Sequence, residues 1–203
     1  MDSVGLSEDN GSSASSLTQR GDSLSPGRRA FLARTLGVSA GVVAVGAFTA
    51  PAVAAAPTIR ATQDRWRFCN KCFALYFWGY PTDGVCPAGG AHYAQGYNFI
   101  LPYDIPETPT AQQYWRFCTK CFSMYFWGYH PTEGVCPSGG AHAAQGYNFV
   151  LNHDVPETPT AQQYWRFCDK CFSMFFWGYS TNGVCPAGSS HRAQGYNFVL
   201  THS

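Results

Sequence analysis

The sequence predicts an all-β fold built from three internal repeats, and three observations support this prediction. A unit that begins at Trp66 recurs at Trp115 and Trp165, with a period of about 50 residues that is typical of repeat architectures. Within each unit, short aromatic and β-branched runs are interrupted by Gly and Pro, which indicates strands. Aromatic residues make up 16% of the chain and charged residues 12%, so the repeats are too apolar to be disordered.

Each unit contains about four predicted strands. In the first unit they cover Trp66–Cys69, Phe73–Trp78, Gly84–Cys86 and Tyr97–Leu101. The repeats set the predicted boundaries, which are a leader at 1–54, linkers at 55–65, 104–114 and 154–164, and repeats at 66–103, 115–153 and 165–203. The last two linkers share Pro-Glu-Thr-Pro-Thr-Ala-Gln-Gln, and the two prolines make this segment extended or turn-like.

Every unit also carries a Cys-x2-Cys pair, a third Cys, and a His six positions after it, and together these use all 9 cysteines. Three thiolates and one imidazole suit a tetrahedral Zn²⁺. The sequence therefore predicts about three zinc ions per chain, one for each repeat. The predicted metal ligands are Cys69, Cys72, Cys86 and His92; Cys118, Cys121, Cys136 and His142; and Cys168, Cys171, Cys185 and His191.

Other uses of the cysteines remain open alternatives at this point. Disulfides are expected after export, but 9 cysteines cannot all pair within one chain. A Cys-x2-Cys redox centre would need a thioredoxin-like βαβ context, which the sequence lacks. An iron–sulfur cluster is a further alternative. A c-type haem is excluded because Phe73, Phe122 and Phe172 follow the second Cys, where the haem motif requires His.

Two architectures fit three such units. Three repeats of four strands match a single β-trefoil-like domain closed around a pseudo-threefold axis. The metal motif resembles a zinc ribbon or zinc knuckle in which Cys-x5-His replaces the second Cys-x2-Cys. That resemblance implies the alternative, three tandem zinc-ribbon-like beads joined by proline-containing tethers.

The leader resembles a twin-arginine export signal. A polar stretch over 1–26 is predicted to be disordered, and a mildly apolar segment and a small-x-small site follow the arginine pair. The residues that carry the resemblance are Arg28, Arg29, Phe31, Leu32, Ala52 and Ala54. Gly27 and Ala33 depart from the usual pattern. The resemblance implies the Tat export machinery as a partner, cleavage after Ala54, and a secreted or cell-envelope protein of a prokaryote. The alternative is an uncleaved anchor over 35–56; otherwise no membrane span is expected after signal removal.

The repeats are themselves similar to Trp-x-x-Cys-x-Lys-Cys … Gly-Val-Cys-Pro-x-Gly-Gly-x-His repeats of exported microbial proteins. The similarity covers nearly all of 66–200 and implies no particular activity. No catalytic pair recurs in all three units, and a metal ion held by four protein ligands leaves no position for substrate. We therefore expect a non-enzymatic protein. The net charge of +1 and the scattered cations argue against nucleic-acid binding.

Repeated aromatic and amide side chains predict a multivalent site for glycan or cell-surface polysaccharide. The candidate ligand-binding residues are Trp78, Tyr80, Asn98, Trp127, Tyr129, Asn148, Trp177, Tyr179 and Asn197. Trp66, Trp115 and Trp165 are expected in the core, and the unrepeated His130, His153 and His202 in solvated loops. The alternative functions are a structural or protein-interaction repeat protein of the cell surface and a metal-dependent or redox enzyme.

Overall fold

The structure, a computed structural model, describes residues 61–203, and these form nine strands and no helix. The strands are β1 (Thr62–Cys69), β2 (Leu75–Phe77), β3 (Ala94–Pro102), β4 (Ala111–Cys118), β5 (Met124–Phe126), β6 (Ala144–His153), β7 (Ala161–Cys168), β8 (Met174–Phe176) and β9 (Ala193–Thr201). The described part of the chain offers no helix with the length and hydrophobicity to cross a membrane. The predicted export signal, from Arg28 to the cleavage site after Ala54, lies outside the described residues.

The prediction of an all-β fold with three repeated units is confirmed, because each unit has the same three-stranded pattern. A long first strand pairs antiparallel with a short second strand and with a long third strand. In the first unit, Trp66 lies opposite Phe77 on one side and Phe99 on the other. The strands form one sheet of order β2-β1-β3 and a second of order β5-β4-β6-β9-β7-β8.

The fourth predicted strand of each unit, Gly84–Cys86 in the first, is wrong. Gly84 has a φ of +67°, in the left-handed region that a strand does not use. The Cys86 amide donates to the carbonyl of Gly90 at 2.8 Å, so it closes a local turn rather than a ladder. The segment therefore curls back toward the Cys-x2-Cys turn, and each unit has three strands.

A bulge in the first strand of each unit explains the repeated Asn. The register shifts between Gln63 and Trp66, and Arg65 takes a φ of 65°. The Arg65 amide then has no ladder partner and donates to Asn98 Oδ1 at 2.8 Å. Tyr114 and Tyr164 make the same bond with Asn148 and Asn197. These asparagine side chains thus have a structural role that the sequence analysis did not predict.

The three units close into a ring through their short strands. The amide of Phe77 donates to the carbonyl of Phe122 in the second unit at 2.9 Å. The amides of Phe126 and Phe176 do the same with the next unit around the ring, at 2.9 Å each, and the last bond returns to Phe73 of the first unit. The described residues therefore form one trefoil-like domain, and the alternative of three independent beads is wrong.

The third strands meet at a second set of junctions, which differ in length. Asn152 and His153 of β6 pair with Val199 and Phe198 of β9. The first unit carries Pro102 where the second carries Asn152. Proline has no amide hydrogen, and the junction of the first unit with the second is a single bridge, from Tyr103 to Phe149. The junction between the third unit and the first is also a single bridge, from His202 to Phe99, so the sheet splits into groups of three and six strands.

An aromatic core shared by all units fills the interior. Trp66, Trp115 and Trp165 are fully buried, which confirms their predicted core position. Each packs edge-on against a Phe of the next unit: Trp66 on Phe149, Trp115 on Phe198 and Trp165 on Phe99, with ring centroids 5.0–5.1 Å apart. The indole N–H of each bonds a Gln side chain of its own unit, so the buried polar atom is satisfied.

We predict that Gly134→Ala is far more destabilising than Gly146→Ala. Both glycines have positive φ, 66° and 72°, so both variants carry a backbone strain of about 1–2 kcal/mol. A Cβ at Gly134 would lie 2.3 Å from the Cys171 carbonyl oxygen, whereas one at Gly146 meets nothing within 4 Å. Urea unfolding should show an additional loss of about 1–3 kcal/mol for Gly134→Ala. Equal losses would mean that this close approach between units is not rigid.

Candidate functional site

The structure brings each predicted set of three Cys and one His together into a buried cluster. The first strand ends at its first Cys, a tight turn supplies the second, and the loop after the second strand supplies the third Cys and the His. Within each cluster the four ligand atoms lie within 4.8 Å of one another. All 9 cysteines are free, so the disulfide alternative is not what the structure shows.

The distances within a cluster match the edges of a coordination tetrahedron. Cys69 Sγ and Cys86 Sγ are 3.9 Å apart, and Cys72 Sγ and His92 Nδ1 are 3.4 Å apart. The other two clusters repeat these spacings, with 3.9 Å in each and 3.5 or 3.4 Å. Metal–ligand bonds of about 2.3 Å to sulfur and 2.0–2.1 Å to nitrogen give tetrahedral edges of about 3.8 and 3.6 Å. A disulfide would need sulfurs about 2.05 Å apart. The three clusters therefore fit three metal ions.

The electrostatics of each cluster favour a cation. Hydrogen bonding from Cys72 and Cys86 lowers the pKa of Cys69 despite its burial. Burial raises the pKa of Cys72, and its sulfur neighbours add to the effect. Burial lowers the pKa of His92, but the sulfurs of Cys69 and Cys86 outweigh it and raise the pKa to about 9. Three buried sulfurs cannot all be thiolates beside one another unless a positive charge compensates them. A metal ion supplies that charge.

Groups around each cluster fix its ligands. The Tyr93 amide points at Cys69 Sγ, 3.4 Å away, and the second and third clusters have the same contact. We call the Cys-x2-Cys turn of each unit its knuckle. A lysine lies between the two knuckle cysteines and holds the loop that carries the His: Lys71 Nζ donates to the Ala91 carbonyl at 2.8 Å. Sequence analysis did not predict a role for this lysine, although it recurs at Lys120 and Lys170. Lys120 Nζ donates to the Gly139 carbonyl, and Lys170 Nζ donates to the Gly188 carbonyl.

The histidines of the first two clusters also form a hydrogen bond with the next unit. The His92 ring stacks on Tyr76 at 4.6 Å, and its Nε2–H donates to the Cys121 carbonyl of the second unit at 3.2 Å. His142 bonds the Cys171 carbonyl of the third unit at 3.0 Å in the same way. Binding a metal through Nδ1 leaves the proton on Nε2, so this carbonyl fixes the tautomer that coordination requires.

Within residues 61–203, the third cluster lacks the hydrogen bond that its histidine would make with the next unit around the ring. Ser123 Oγ and Ser173 Oγ lie 3.5 Å from the Nε2 atoms of His92 and His142. The first unit has Ala74 at this position, and Ala74 bridges to Phe175 of the third unit. His191 Nε2 is buried and has no hydrogen-bond partner among the described residues. The absence of a serine hydroxyl at position 74 thus coincides with a histidine, His191, whose Nε2 has no hydrogen-bond partner in the described part of the chain.

The residues predicted to bind ligand lie in separate places. Trp78 and Trp177 are 49% and 43% exposed, and Trp127 is half-buried. Arg67, Arg116 and Arg166 lie over these three indole rings, with guanidinium carbons 5.5–5.8 Å from the ring centroids. Asn98, Asn148 and Asn197 bond the strand bulges. Tyr80, Tyr129 and Tyr179 are about half exposed, at 49%, 53% and 52%, and each lines a cleft between units.

These three unit-interface clefts are equivalent in composition. The cleft between units 1 and 2 has a volume of about 350 Å³ and is lined by Gln63, Tyr80, Gln145, Tyr147 and three Phe rings. The corresponding clefts between units 2 and 3 and between units 3 and 1 measure about 300 and 160 Å³. Sequence analysis did not predict Gln145 and Tyr147 as site residues, although the recurring Gln-Gly-Tyr-Asn segment pointed to them.

Two histidines predicted to be solvated are buried. His153 and His202 are 5% and 8% exposed and stack on Tyr196 and Tyr97, with ring centroids 3.7 and 3.6 Å apart. They close the junctions between third strands, a role that Tyr103 takes at the first junction. The prediction was wrong because these contacts are made with a neighbouring unit. His130 is exposed as expected, with 54% of its side chain accessible.

Fold and site together define a trefoil-like all-β domain with three metal-binding clusters of the Cys3His type. Comparisons with protein-family models, with curated proteins and with solved structures give no significant match. The functional conclusions therefore depend on the chemistry of the clusters and clefts themselves.

We predict that the folded chain carries about three metal ions and that a strong chelator unfolds it, because removing the cation leaves buried thiolates uncompensated. Elemental analysis should give the metal content, and near-UV circular dichroism the loss of tertiary structure. As a control, Cys136→Ser should lower the content by about one ion. A chain that stays folded with all thiols reactive and no metal would contradict the prediction.

We also predict that Ala74→Ser stabilises the protein, whereas Ser173→Ala weakens it. The new hydroxyl would accept a hydrogen bond from the unpartnered His191 Nε2–H, whereas Ser173 Oγ, 3.5 Å from His142 Nε2, shares that proton with the Cys171 carbonyl. Each change should shift the free energy of unfolding by about 0.5–1.5 kcal/mol, in opposite directions. Urea unfolding of the metal-loaded proteins measures both. A less stable Ala74→Ser protein would show that His191 is already satisfied.

Proposed function

We propose that this chain is an exported, non-enzymatic binding module in which three zinc ions hold a rigid β domain and three clefts bind glycan. The observation that carries the proposal is a cleft that recurs three times, each time lined by half-exposed Tyr and by Gln side chains. The metal clusters, by contrast, are buried.

Zinc is the metal that best suits the clusters. It prefers four-coordinate tetrahedral sites made of thiolate and imidazole ligands, and Cys3His is among its usual structural sets. The four ligand atoms of each cluster lie within 4.8 Å of one another, a space for one ion. Zinc also has no redox chemistry of its own, so its thiolate ligands would tolerate an oxidising location.

The clusters support a structural role for the metal. A catalytic zinc keeps a coordination position open for water, whereas four protein ligands fill the tetrahedron. The ligands are buried; His92 and His142 are 2% and 3% exposed. In the first two clusters, a substrate that displaced the histidine would also have to break its hydrogen bond to the next unit.

The clefts have the chemistry of a sugar site. Tyrosine rings offer flat apolar faces for the C–H side of a pyranose, and glutamine amides offer both donors and acceptors for its hydroxyls. The lining of the three clefts includes no charged residue. This composition favours a neutral sugar. The two larger clefts, about 350 and 300 Å³, reach the lower end of the usual range of about 300–1,000 Å³ for small-molecule sites.

Three weak sites on one rigid domain would act together on a polymeric ligand. Binding at one cleft raises the effective concentration of neighbouring sugar units at the other two. A polysaccharide of a cell surface is such a ligand, and the twin-arginine-like leader would bring the module to that surface. The proposed location is therefore extracellular or in the cell envelope.

We predict that a neutral oligosaccharide identified on a glycan array binds the folded chain and that Tyr129→Ala weakens this binding about tenfold at its cleft, since a stacked ring contributes about 1.4 kcal/mol. Isothermal titration calorimetry measures the affinity and the number of sites. Replacing Tyr80, Tyr129 and Tyr179 together should abolish binding to the polymer, because all three clefts lose their ring.

Tyr93→Ala provides the matched control. The Tyr93 side chain is 64% exposed, more than the cleft tyrosines, and it does not line any of the three clefts. Its replacement should leave glycan binding and metal content unchanged. If no glycan binds, or if the triple Tyr variant binds as well as the parent, the clefts are not sugar sites.

A further inference from the structure

The outer face of the third unit differs from its two counterparts in charge. A pocket of about 520 Å³ there is lined by Arg166, Lys170, Trp177, Asn182 and Arg192, with Ser189, Ser190 and His191 beside them. Three of these side chains are cationic, and none is acidic. Unlike the unit-interface clefts, this pocket lies within one unit, between its knuckle lysine and its exposed tryptophan.

Two of the lining positions differ in charge from those of the other repeats. Asn182 stands where the first two units carry Asp83 and Glu133. In the second unit, the Glu133 carboxylate accepts a hydrogen bond from Trp127 Nε1 at 3.2 Å, so a negative charge lies directly beside the indole. In the third unit, the Asn182 amide donates to the His191 carbonyl at 3.2 Å instead, and the negative charge is gone.

Arg192 is the second substitution, at the position of Tyr93 and Ala143. Its Nε and Nη2 bind the Asp169 carboxylate at 2.8 and 2.7 Å, which fixes the guanidinium and leaves Nη1 for another acceptor. Asp169 neutralises one of the three cations, and Arg166 and Lys170 have no ion pair with the acids that the structure describes. The pocket therefore keeps excess positive charge.

We propose that this pocket of the third unit binds an acidic sugar, a uronic acid unit of a polysaccharide. Guanidinium and ammonium groups bind the carboxylate by charge-assisted hydrogen bonds. Ser189, Ser190 and the Asn182 amide are suited to ring hydroxyls, and the exposed part of Trp177 that Arg166 does not cover offers an apolar surface. The site goes beyond the uncharged clefts of the proposed function, and it does not depend on them.

The test is calorimetric titration of the metal-loaded full chain with tri-galacturonate, with its methyl ester as the uncharged control of the same shape. We expect one site for the acid, binding that weakens as salt is added, and at least a tenfold loss for the ester. The variant Asn182→Glu/Arg192→Ala places the second unit's residues at these two positions and should abolish binding. Because the second unit folds with those residues, the variant should keep its metal content and circular dichroism.

Arg192→Ala alone is a second variant at an exposed side chain and should weaken tri-galacturonate binding about tenfold. Equal binding of the ester, or unchanged binding by both variants, would overturn the proposal. Competition with inorganic phosphate is a further test. If phosphate displaces tri-galacturonate at the same concentration as free galacturonate does, the pocket is a simple anion site and the proposal is overturned. Tyr129→Ala should leave this binding intact, which separates the inference from the clefts and their neutral glycan.

Discussion

Each metal cluster packs against the Cys-x2-Cys turn of the next unit around the ring, and this contact is the constraint on which the rest of the structure depends. His92 directs Nδ1 to its own sulfurs and Nε2–H to the Cys121 carbonyl, 3.2 Å away in the next unit. Gly84 packs against the same carbonyl so closely that a Cβ would lie 2.3 Å from it. One knuckle therefore cannot shift without disturbing the loop that completes its neighbour's cluster. We therefore expect metal binding and closure of the ring to be coupled.

The need for such a device follows from size. A unit of about 50 residues buries too little apolar surface to be stable alone, and small domains rely on metals, disulfides or association. Here the metal and the association are combined, since Trp66 packs on Phe149 of the second unit while His92 bonds to that unit's knuckle. The aromatic core is filled only when all three units are in place. The ring and its metals thus compensate for the small number of aliphatic side chains.

The sequence was sufficient for the repeats and the metal ligands, although it missed the lysine and asparagine hydrogen bonds within a unit. The period, the strand-like composition and the ligand spacing led to the all-β repeats and to the residues that the structure gathers in the clusters. Features that form between units were missed. The burial of His153 depends on Tyr196, and the clefts pair Tyr80 with Gln145 of the next unit. The extra strand was wrong for a related reason, because Gly84 follows the shape of the neighbouring knuckle rather than its own local propensity.

Differences between the repeats show which positions the scaffold leaves free. The metal ligands, the knuckle lysine and the core tryptophan recur in every unit, because each contributes to the ring. The positions of Asn182 and Arg192 vary in charge from unit to unit, and both lie at the surface of the pocket rather than in the cluster. A symmetric domain can only present three copies of one site. Chemistry that occurs once must come from such departures, so the third unit is where a ligand different from that of the clefts would be recognised.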